Sequence, residues 1–260
     1  MPGTLVFFHA HPDDEAIFTG GTMALLAREG WRLVLVLATQ GEHGESSSLV
    51  GPGVPLAVRR VAETADAAER LGVERVEFLG YHDSGMVGDP ANEAPGAFAR
   101  APLDEAAARL GHVVAEERPD ALVAYDERGI YGHPDHIAVN RVARRAAEVA
   151  GVATIYEATV DREYLHFVET HLVVEASLGP QPERGRLGLA ASGLGLSTVE
   201  VDCTVDVRPV LEVKRGAMSA HASQIPETSS ALRLPESAFA AVYGYEWYGR
   251  KGPPGPIDDL

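Results

Sequence analysis

Short apolar runs alternate with amphipathic segments along the first 150 residues of the chain. The runs Leu5–Phe8 and Ala121–Tyr125, among others, have the length and composition of strands that are buried on both faces of a sheet. The segments between the runs carry apolar residues at helical spacing and end at glycine or before proline. The pattern predicts strands at residues 5–8, 33–38, 76–79 and 121–125, and helices at residues 16–29, 58–71, 103–117 and 137–149.

The repeated order of strand and helix predicts an α/β fold: a Rossmann-like, doubly wound and mostly parallel sheet with a small C-terminal appended region. In the common strand order 3-2-1-4-5 the first and fourth strands are neighbours, and ligands bind outside their carboxyl ends. We expect one domain over residues 1–260, within which residues from about 170 to 260 are a candidate for a small subdomain.

Three stretches rich in glycine, proline and polar residues interrupt this order, at residues 39–55, 81–102 and 175–197. Loops of this length in a compact domain are usually functional or disordered. The first two follow the second and third predicted strands. We therefore expect them to rise from the carboxyl edge of the sheet and to border a ligand crevice there.

Two polar motifs follow strands that this fold brings together. The motif HPDDE occupies residues 11–15, directly after the first strand, and GHPDH occupies residues 132–136, where a helix opens after the fourth. Imidazole and carboxylate groups are ligands of Zn²⁺, and catalytic sites use three of them. The adjacent Asp13 and Asp14 cannot easily point the same way, so one can bind the metal while the other stays free as a base. A plainer interpretation makes these aspartates, and His133, only turn and cap residues, but two such motifs at adjoining strand ends favour a metal site.

The composition narrows the class of partner. The net charge of -16 disfavours binding to nucleic acid or to an anionic membrane surface. A single cysteine excludes an internal disulfide framework, and the sequence has neither a signal-peptide pattern nor an apolar stretch of the ~20 residues that span a membrane. We expect a cytoplasmic protein that acts on a small molecule and binds neither nucleic acid nor membrane. A homo-oligomer is compatible with the sequence.

The two motifs resemble those of the LmbE-like, or PIG-L, family of zinc-dependent N-deacetylases, in which AHPDDE and GHPDH recur. The sequences TQGEHG at residues 39–44 and LGYHDSGM at residues 79–86 are similar to further segments of that family. So are the arginine pair at residues 59–60 and the pattern from Lys214 through His221 to Gln224. The resemblance spans nearly the whole chain. It implies a hydrolase that removes the N-acetyl group of an N-acetylglucosamine-type sugar or sugar conjugate.

The resemblance also implies roles for individual residues. Asp13 would be the general base that takes a proton from metal-bound water. A cationic His133, oriented by Asp135, would stabilise the oxyanion or protonate the leaving amine, and Tyr131 would lie near that oxyanion. The expected metal is Zn²⁺, although Fe²⁺ is also compatible with these ligand types. The metal ligands would be His11, Asp14 and His136.

The substrate is less closely defined than the metal site. The resemblance implies that Arg60 and Asp83 contact sugar hydroxyls. The same motifs would also serve a zinc amidase that acts on another acylated amine, such as a thiol conjugate or an antibiotic intermediate. A metal-binding protein without catalysis would be expected to lack the base or the oxyanion histidine, whereas this chain has both Asp13 and His133.

Overall fold

The computed structural model describes residues 2–44, 53–168 and 193–260. Within them lies a seven-stranded sheet whose apolar strands match the predicted ones to within a few residues. The predicted loops at residues 39–55 and 175–197 lie partly outside the described residues. The strands are β1 (Thr4–His9), β2 (Arg32–Thr39), β3 (Arg75–Tyr81), β4 (Ala121–Tyr125), β5 (Thr154–Thr159), β6 (Cys203–Asp206) and β7 (Tyr245–Lys251).

The helices connect and cover these strands, and most begin or end at the signals in the sequence. Gly72 and Gly151, for example, end two helices in the left-handed conformation that glycine adopts readily. The α-helices are α1 (Gly20–Arg28), α2 (Leu56–Leu71), α3 (Leu103–Glu117), the single turn α4 (Gly129–Gly132), α5 (Pro134–Ala150), α6 (Arg162–Val168), α7 (Leu211–Ala220) and α8 (Glu236–Tyr243).

The first helix departs from the prediction. Residues 16–29 were expected to form one α-helix, but the segment opens with a π-helical turn at Glu15–Thr19 before α1 begins. Such turns break the regular hydrogen-bond ladder and are frequent at functional sites. Gly21 then allows close packing, because a Cβ atom there would lie 2.3 Å from the Cβ of Val207.

The strand order β3-β2-β1-β4-β5-β7-β6 confirms the predicted α/β sheet. Strands β1 to β5 are parallel, whereas β7 pairs antiparallel with β5, and β6 antiparallel with β7. β1 lies directly beside β4, with Leu5 opposite Ala121 and Phe7 opposite Val123. The polar motifs that follow these two strands therefore emerge side by side, as the sequence predicts.

Apolar clusters lie on both faces of the sheet, because successive side chains of a strand point to opposite faces. Along β1, Leu5 and Phe7 belong to the cluster that includes residues of α1, α2, α7 and α8. Val6 and Phe8 belong to the cluster that includes residues of α3 and α5. All four side chains are fully buried, which accounts for the uninterrupted apolar run in the sequence.

The C-terminal region is bound to the first helix through a buried ion pair. Nζ of Lys214 on α7 lies 2.6 Å from Oε1 of Glu246 on β7, and both side chains are 1% exposed. The Glu246 carboxylate also accepts hydrogen bonds from the backbone N–H groups of Gly21 and Thr22, at 2.7 and 2.8 Å. It thereby caps the N-terminus of α1, where a negative charge is favourable. The single domain over residues 1–260, with its appended subdomain, stays a prediction.

Among the described helices, none is both long and apolar enough to cross a membrane.

Removing the cation of the buried pair should destabilise the fold strongly. We expect Lys214→Met to lower the free energy of unfolding by about 3–5 kcal/mol, because it leaves the Glu246 carboxylate buried without its counter-charge. Urea unfolding monitored by circular dichroism measures this loss. The matched control is Lys251→Met, which removes an exposed lysine of β7 and should cost less than about 1 kcal/mol. Equal losses in the two variants would contradict the assignment.

Candidate metal centre and active site

The loop after β1 directs two neighbouring carboxylates to different places. Asp13 has a φ of 103°, a conformation that L-residues rarely adopt and that costs about 1–3 kcal/mol. Its backbone is held on both sides: its N–H donates to Oε2 of Glu15 at 3.0 Å, and its carbonyl accepts from Ala16 and Ile17. The Asp14 side chain turns back to accept the N–H of His11 at 2.9 Å. The two carboxylates thus diverge, as the sequence predicts.

His11, Asp14 and His136 meet at the ends of β1 and β4. Oδ2 of Asp14 lies 3.2 Å from Nδ1 of His11 and 3.3 Å from Nε2 of His136. Ligand atoms around a tetrahedral ion bound at ~2.1 Å lie about 3.4 Å apart, so these spacings suit a metal. Within the described chain, neither ring nitrogen of the buried His136 has a hydrogen-bond partner. Orphaned imidazole nitrogens beside a carboxylate fit a ligand set.

Two groupings of donor atoms at this place have the mutual spacing for a metal, and neither of them includes Asp14. The donor atoms of His11, His133 and His136 lie within 4.8 Å of one another, and so do those of His11, Asp83 and Asp135. All these side chains are buried. The chain therefore has a cluster of histidines and carboxylates that could hold a metal ion, and His11 belongs to every grouping.

Tyr125, at the carboxyl end of β4, fixes the position of His136. The two rings stack, with centroids 4.2 Å apart and an interplanar angle of 20°. The Tyr125 hydroxyl lies 2.9 Å from Nδ1 of His9 and accepts the N–H of Ala10 at 3.1 Å. Tyr131 approaches His136 edge-on, with ring centroids 4.9 Å apart. The imidazole of His136 is therefore held between two aromatic rings.

Asp135 supports His11 from the side opposite Asp14. Nε2 of His11 lies 3.1 Å from Oδ2 of Asp135, which also accepts the Ser84 N–H at 2.9 Å. The Ser84 hydroxyl donates to the other carboxylate oxygen at 2.5 Å. A carboxylate on one imidazole nitrogen orients the other nitrogen, here Nδ1, toward a metal. The sequence led us to expect this carboxylate beside His133, and it lies beside His11 instead.

The charges in the cluster favour a bound cation. Burial opposes protonation of His11, but its hydrogen bonds with Asp135, Asp14 and Asp83 outweigh burial and raise its pKa well above the usual value. Burial also opposes ionisation of Asp14, yet the nearby His136 and His11 lower the pKa of that carboxyl group. An environment that stabilises a positive imidazole among carboxylates stabilises a metal ion for the same reason.

Asp13 has the properties of a general base. Burial raises the pKa of Asp13 to about 6, although the positive charge of Arg60 opposes this shift. Oδ1 of Asp13 lies 3.3 Å from a terminal nitrogen of Arg60, and the Asp13 side chain is 17% exposed to solvent. A carboxylate with a raised pKa is still ionised at neutral pH and accepts protons more readily than a surface aspartate.

His133 lies at the N-cap of α5, where its Nδ1 accepts the N–H of Asp135 at 3.1 Å. A ring nitrogen that accepts a hydrogen bond carries no proton, so this contact favours the neutral imidazole with its proton on Nε2. Burial, together with His11 and His136, lowers the pKa of His133 to about 4. The expectation of a cationic His133 thus differs from the structure, but the Nε2–H group can still donate to an oxyanion.

Two of the three remaining candidate site residues, Arg60 and Asp83, are buried. Arg60 is 3% exposed and donates to the carbonyl oxygens of Gly41, at 2.7 Å, and Pro12. Asp83 is buried and accepts the N–H groups of His43 and Gly85, at 3.2 and 2.8 Å. Burial opposes its ionisation, but the contact with His11 outweighs burial and lowers the pKa of Asp83.

Tyr131 is 44% exposed and faces the crevice from α4. The residue before it, Ile130, is strained, with a φ of 62°. Partial burial, together with the charges of Asp14 and Asp13, raises the pKa of Tyr131, so the hydroxyl stays protonated and able to donate a hydrogen bond. The roles of Arg60, Asp83 and Tyr131 toward a sugar stay predictions.

Comparison with known proteins identifies the family. Residues 6–147 match the model of the family described as "PIG-L: GlcNAc-PI de-N-acetylase". The chain belongs to the PIG-L family. It is 39% identical over 279 aligned residues to the 1D-myo-inositol 2-acetamido-2-deoxy-α-D-glucopyranoside deacetylase of Salinispora arenicola, covering 98% of this chain and 90% of that protein. The prediction of a PIG-L deacetylase, an enzyme that hydrolyses amide bonds, is thereby confirmed.

Two solved structures share the fold of this PIG-L chain. The N,N'-diacetylchitobiose deacetylase of Pyrococcus horikoshii has a TM-score of 0.58 at 22% identity, over 96% of this chain and 84% of that one. The 4-carboxy-2-hydroxymuconate hydratase GalB of Pseudomonas putida has a TM-score of 0.60 at 20% identity, over 98% of each chain. Because a deacetylase and a hydratase both have this fold, the fold alone does not define the reaction.

Some residues of this PIG-L site lie in the sequence motifs, although the sequence predicted no role for them. Glu15 ends HPDDE, Ser84 lies in LGYHDSGM, and His221 belongs to the C-terminal pattern. Tyr125 is the last residue of a predicted strand that adjoins β1. This position at the carboxyl end of the strand could have indicated that Tyr125 belongs to the site. What the sequence could not provide was the partner of each side chain, because those partners lie far away along the chain.

The divergence of the two carboxylates predicts which residues hold the metal. In metal-stripped protein titrated with Zn²⁺ or Co²⁺ by calorimetry, we expect His136→Ala and Asp14→Asn each to weaken binding more than about 100-fold. Residues that only support a ligand cost 10–100-fold when they are lost. The exposed His112 on α3 offers a matched control, His112→Ala, which should bind like the wild type.

His133→Ala should retain the metal, because we assign His133 to the substrate and not to the ion. If this variant loses binding as severely as Asp14→Asn does, His133 is a metal ligand as well, and the assignment from sequence is wrong.

Proposed function

We propose that this chain is a zinc-dependent N-deacetylase that releases acetate from an N-acetylglucosamine conjugate, with an N-acetylglucosaminyl inositol as the first candidate substrate. The relative from Salinispora arenicola, whose name specifies that substrate, supports the proposal because the similarity extends over 98% of this chain. The same buried cluster would serve any small acylated amine, so the choice of substrate depends on the loops that border the crevice.

The divergence of Asp13 from Asp14 is the observation that carries the proposal. Asp14 lies beside His11 and His136, whereas Asp13 lies beside Arg60, with its pKa raised by burial to about 6. Hydrolysis of an amide needs a proton acceptor beside the attacking water. One loop therefore supplies a metal ligand and a separate base.

His11, Asp14 and His136 would hold the zinc ion, which when bound lowers the pKa of a water to about 7 and polarises the acyl carbonyl. Asp13 would accept the proton of the attacking water. The Nε2–H group of His133 and the hydroxyl of Tyr131 would donate hydrogen bonds to the oxygen that becomes negative. Departure of the amine requires a proton, which Asp13 or His133 can deliver.

Contacts with the sugar belong to the proposal as well. Arg60 donates to backbone carbonyls of two loops that converge at the crevice. We assign it a part in shaping the sugar site, alongside Asp83. Fe²⁺ in place of zinc, a cytoplasmic location and a homo-oligomer stay predictions.

A substrate panel tests the proposal directly. We expect the zinc-loaded protein to release acetate from N-acetylglucosaminyl inositol with a kcat/KM at least about 10-fold higher than from N-acetylglucosamine or N,N'-diacetylchitobiose. The inositol group would add binding energy, and 1.4 kcal/mol of it suffices for a factor of ten. Acetate is measured with a coupled enzymatic assay. Activity on a different acylated amine but on none of these sugars would instead favour the amidase alternative.

Replacement of the proposed base should abolish catalysis without removing the metal. We expect Asp13→Asn to lower kcat by about 10²–10⁴-fold, because the amide cannot accept the proton of the attacking water. The metal content, measured by mass spectrometry, should stay that of the wild type. Asp66→Asn, which alters a half-exposed aspartate of α2, is the control. Wild-type activity in Asp13→Asn would refute the role of Asp13.

A further inference from the structure

A buried histidine near the C-terminus reaches the loop that carries the proposed base. Nε2 of His221, just after α7, lies 2.6 Å from Oε1 of Glu15, although the two residues are 206 positions apart. The other oxygen of the same carboxylate, Oε2, accepts the backbone N–H of Asp13 at 3.0 Å. His221 and Glu15 are both fully buried. The chain His221–Glu15–Asp13 is thus continuous, and it ends on the backbone of the base.

The contact on Asp13 is made where the backbone is strained. With a φ of 103°, Asp13 depends on outside contacts to keep its conformation. The Glu15 carboxylate accepts the hydrogen bond of the Asp13 N–H. Without this partner the N–H group would be left unpaired, which is unfavourable for a group removed from water. A carboxylate accepts hydrogen bonds at two oxygens, so a donor on Oε1 fixes how Oε2 is presented to Asp13.

His221 is itself fixed by neighbouring elements. The N–H groups of Gln224 and Ile225 donate to its backbone carbonyl, at 2.9 and 2.7 Å. Nearby, Ser223 donates both its N–H and its hydroxyl to Glu63 of α2, at 2.9 and 2.6 Å. The same helix α2 carries Arg60, which pairs with the Asp13 carboxylate. The backbone and the side chain of Asp13 are therefore both anchored to one helical layer.

We propose that His221 and Glu15 are positioning residues for Asp13: through the Glu15 carboxylate they hold its backbone in the conformation that places its side chain beside Arg60, free to act as the base. This inference rests on the proposed function of Asp13 as the base. In the described chain neither side chain of the pair forms a hydrogen bond or ion pair with His11 or His136, so we expect the pair to act on catalysis and not on metal retention.

The test is a set of kinetic measurements on zinc-loaded variants with N-acetylglucosaminyl inositol. His221→Leu removes the donor, and we expect kcat to fall about 10–100-fold while KM changes less than about 3-fold, since small misplacements of a catalytic group cost this much. His221→Gln keeps a side-chain N–H donor and should recover at least about 10-fold of the loss. Metal content should equal that of the wild type in both.

Lys214→Met separates positioning from general stability. It breaks a buried ion pair within the C-terminal region whose Glu246 carboxylate binds the N-terminus of α1 and which does not contact Asp13. At a temperature where circular dichroism shows all variants folded, its kcat should stay within about 3-fold of the wild type. A loss in Lys214→Met as large as that in His221→Leu would overturn the proposal, because any loosening of this region would then suffice.

A double-mutant cycle decides whether the pair acts through Asp13. In an Asp13→Asn background, His221→Leu should cause no further loss of kcat, because the group being positioned no longer works as a base. A full additional loss would overturn the positioning role while leaving Asp13 as the base. Wild-type kcat in Asp13→Asn alone would instead refute the proposed function, and the inference with it.

Discussion

Two carboxylates that follow one another in the chain must point in different directions if one binds a cation and the other accepts a proton. An ordinary backbone conformation does not ensure this, and the positive φ of Asp13 does. Everything around the site can be understood from that constraint. The π-helical turn after Asp14, the carboxylate of Glu15 and the guanidinium of Arg60 all contact or follow the strained residue. Asp13 is held by hydrogen bonds within its own turn and by an ion pair with Arg60 of α2.

Much of the fold and the centre of the site could be predicted from the sequence. Apolar runs of four to six residues indicated strands between helices, and parallel topology then placed the ends of β1 and β4 side by side. The convergence of HPDDE and GHPDH follows from that adjacency alone. Predictions of this kind succeed because they depend on periodicity and on the handedness of crossovers, which are local or general properties.

The unpredicted features depend on particular partners. The sequence gives no sign that the Asp135 carboxylate lies on His11, since that contact joins positions 124 apart. The neutral state of His133 follows from one backbone N–H and from burial, neither of which a motif reveals. The helical spacing at residues 16–29 gave no indication of the π-helical turn at Glu15–Thr19. The motifs specified which groups are present, and tertiary packing specified their orientation and charge.

The support for Asp13 has a consequence for how the protein matures. During synthesis from the N-terminus, Asp13 and all three proposed metal ligands leave the ribosome before residue 137, whereas His221 follows 85 residues after His136. A nascent chain can therefore acquire the ligands long before it acquires the contacts that hold the base. The segment that positions the base is thus synthesised after every residue that we assign to the metal.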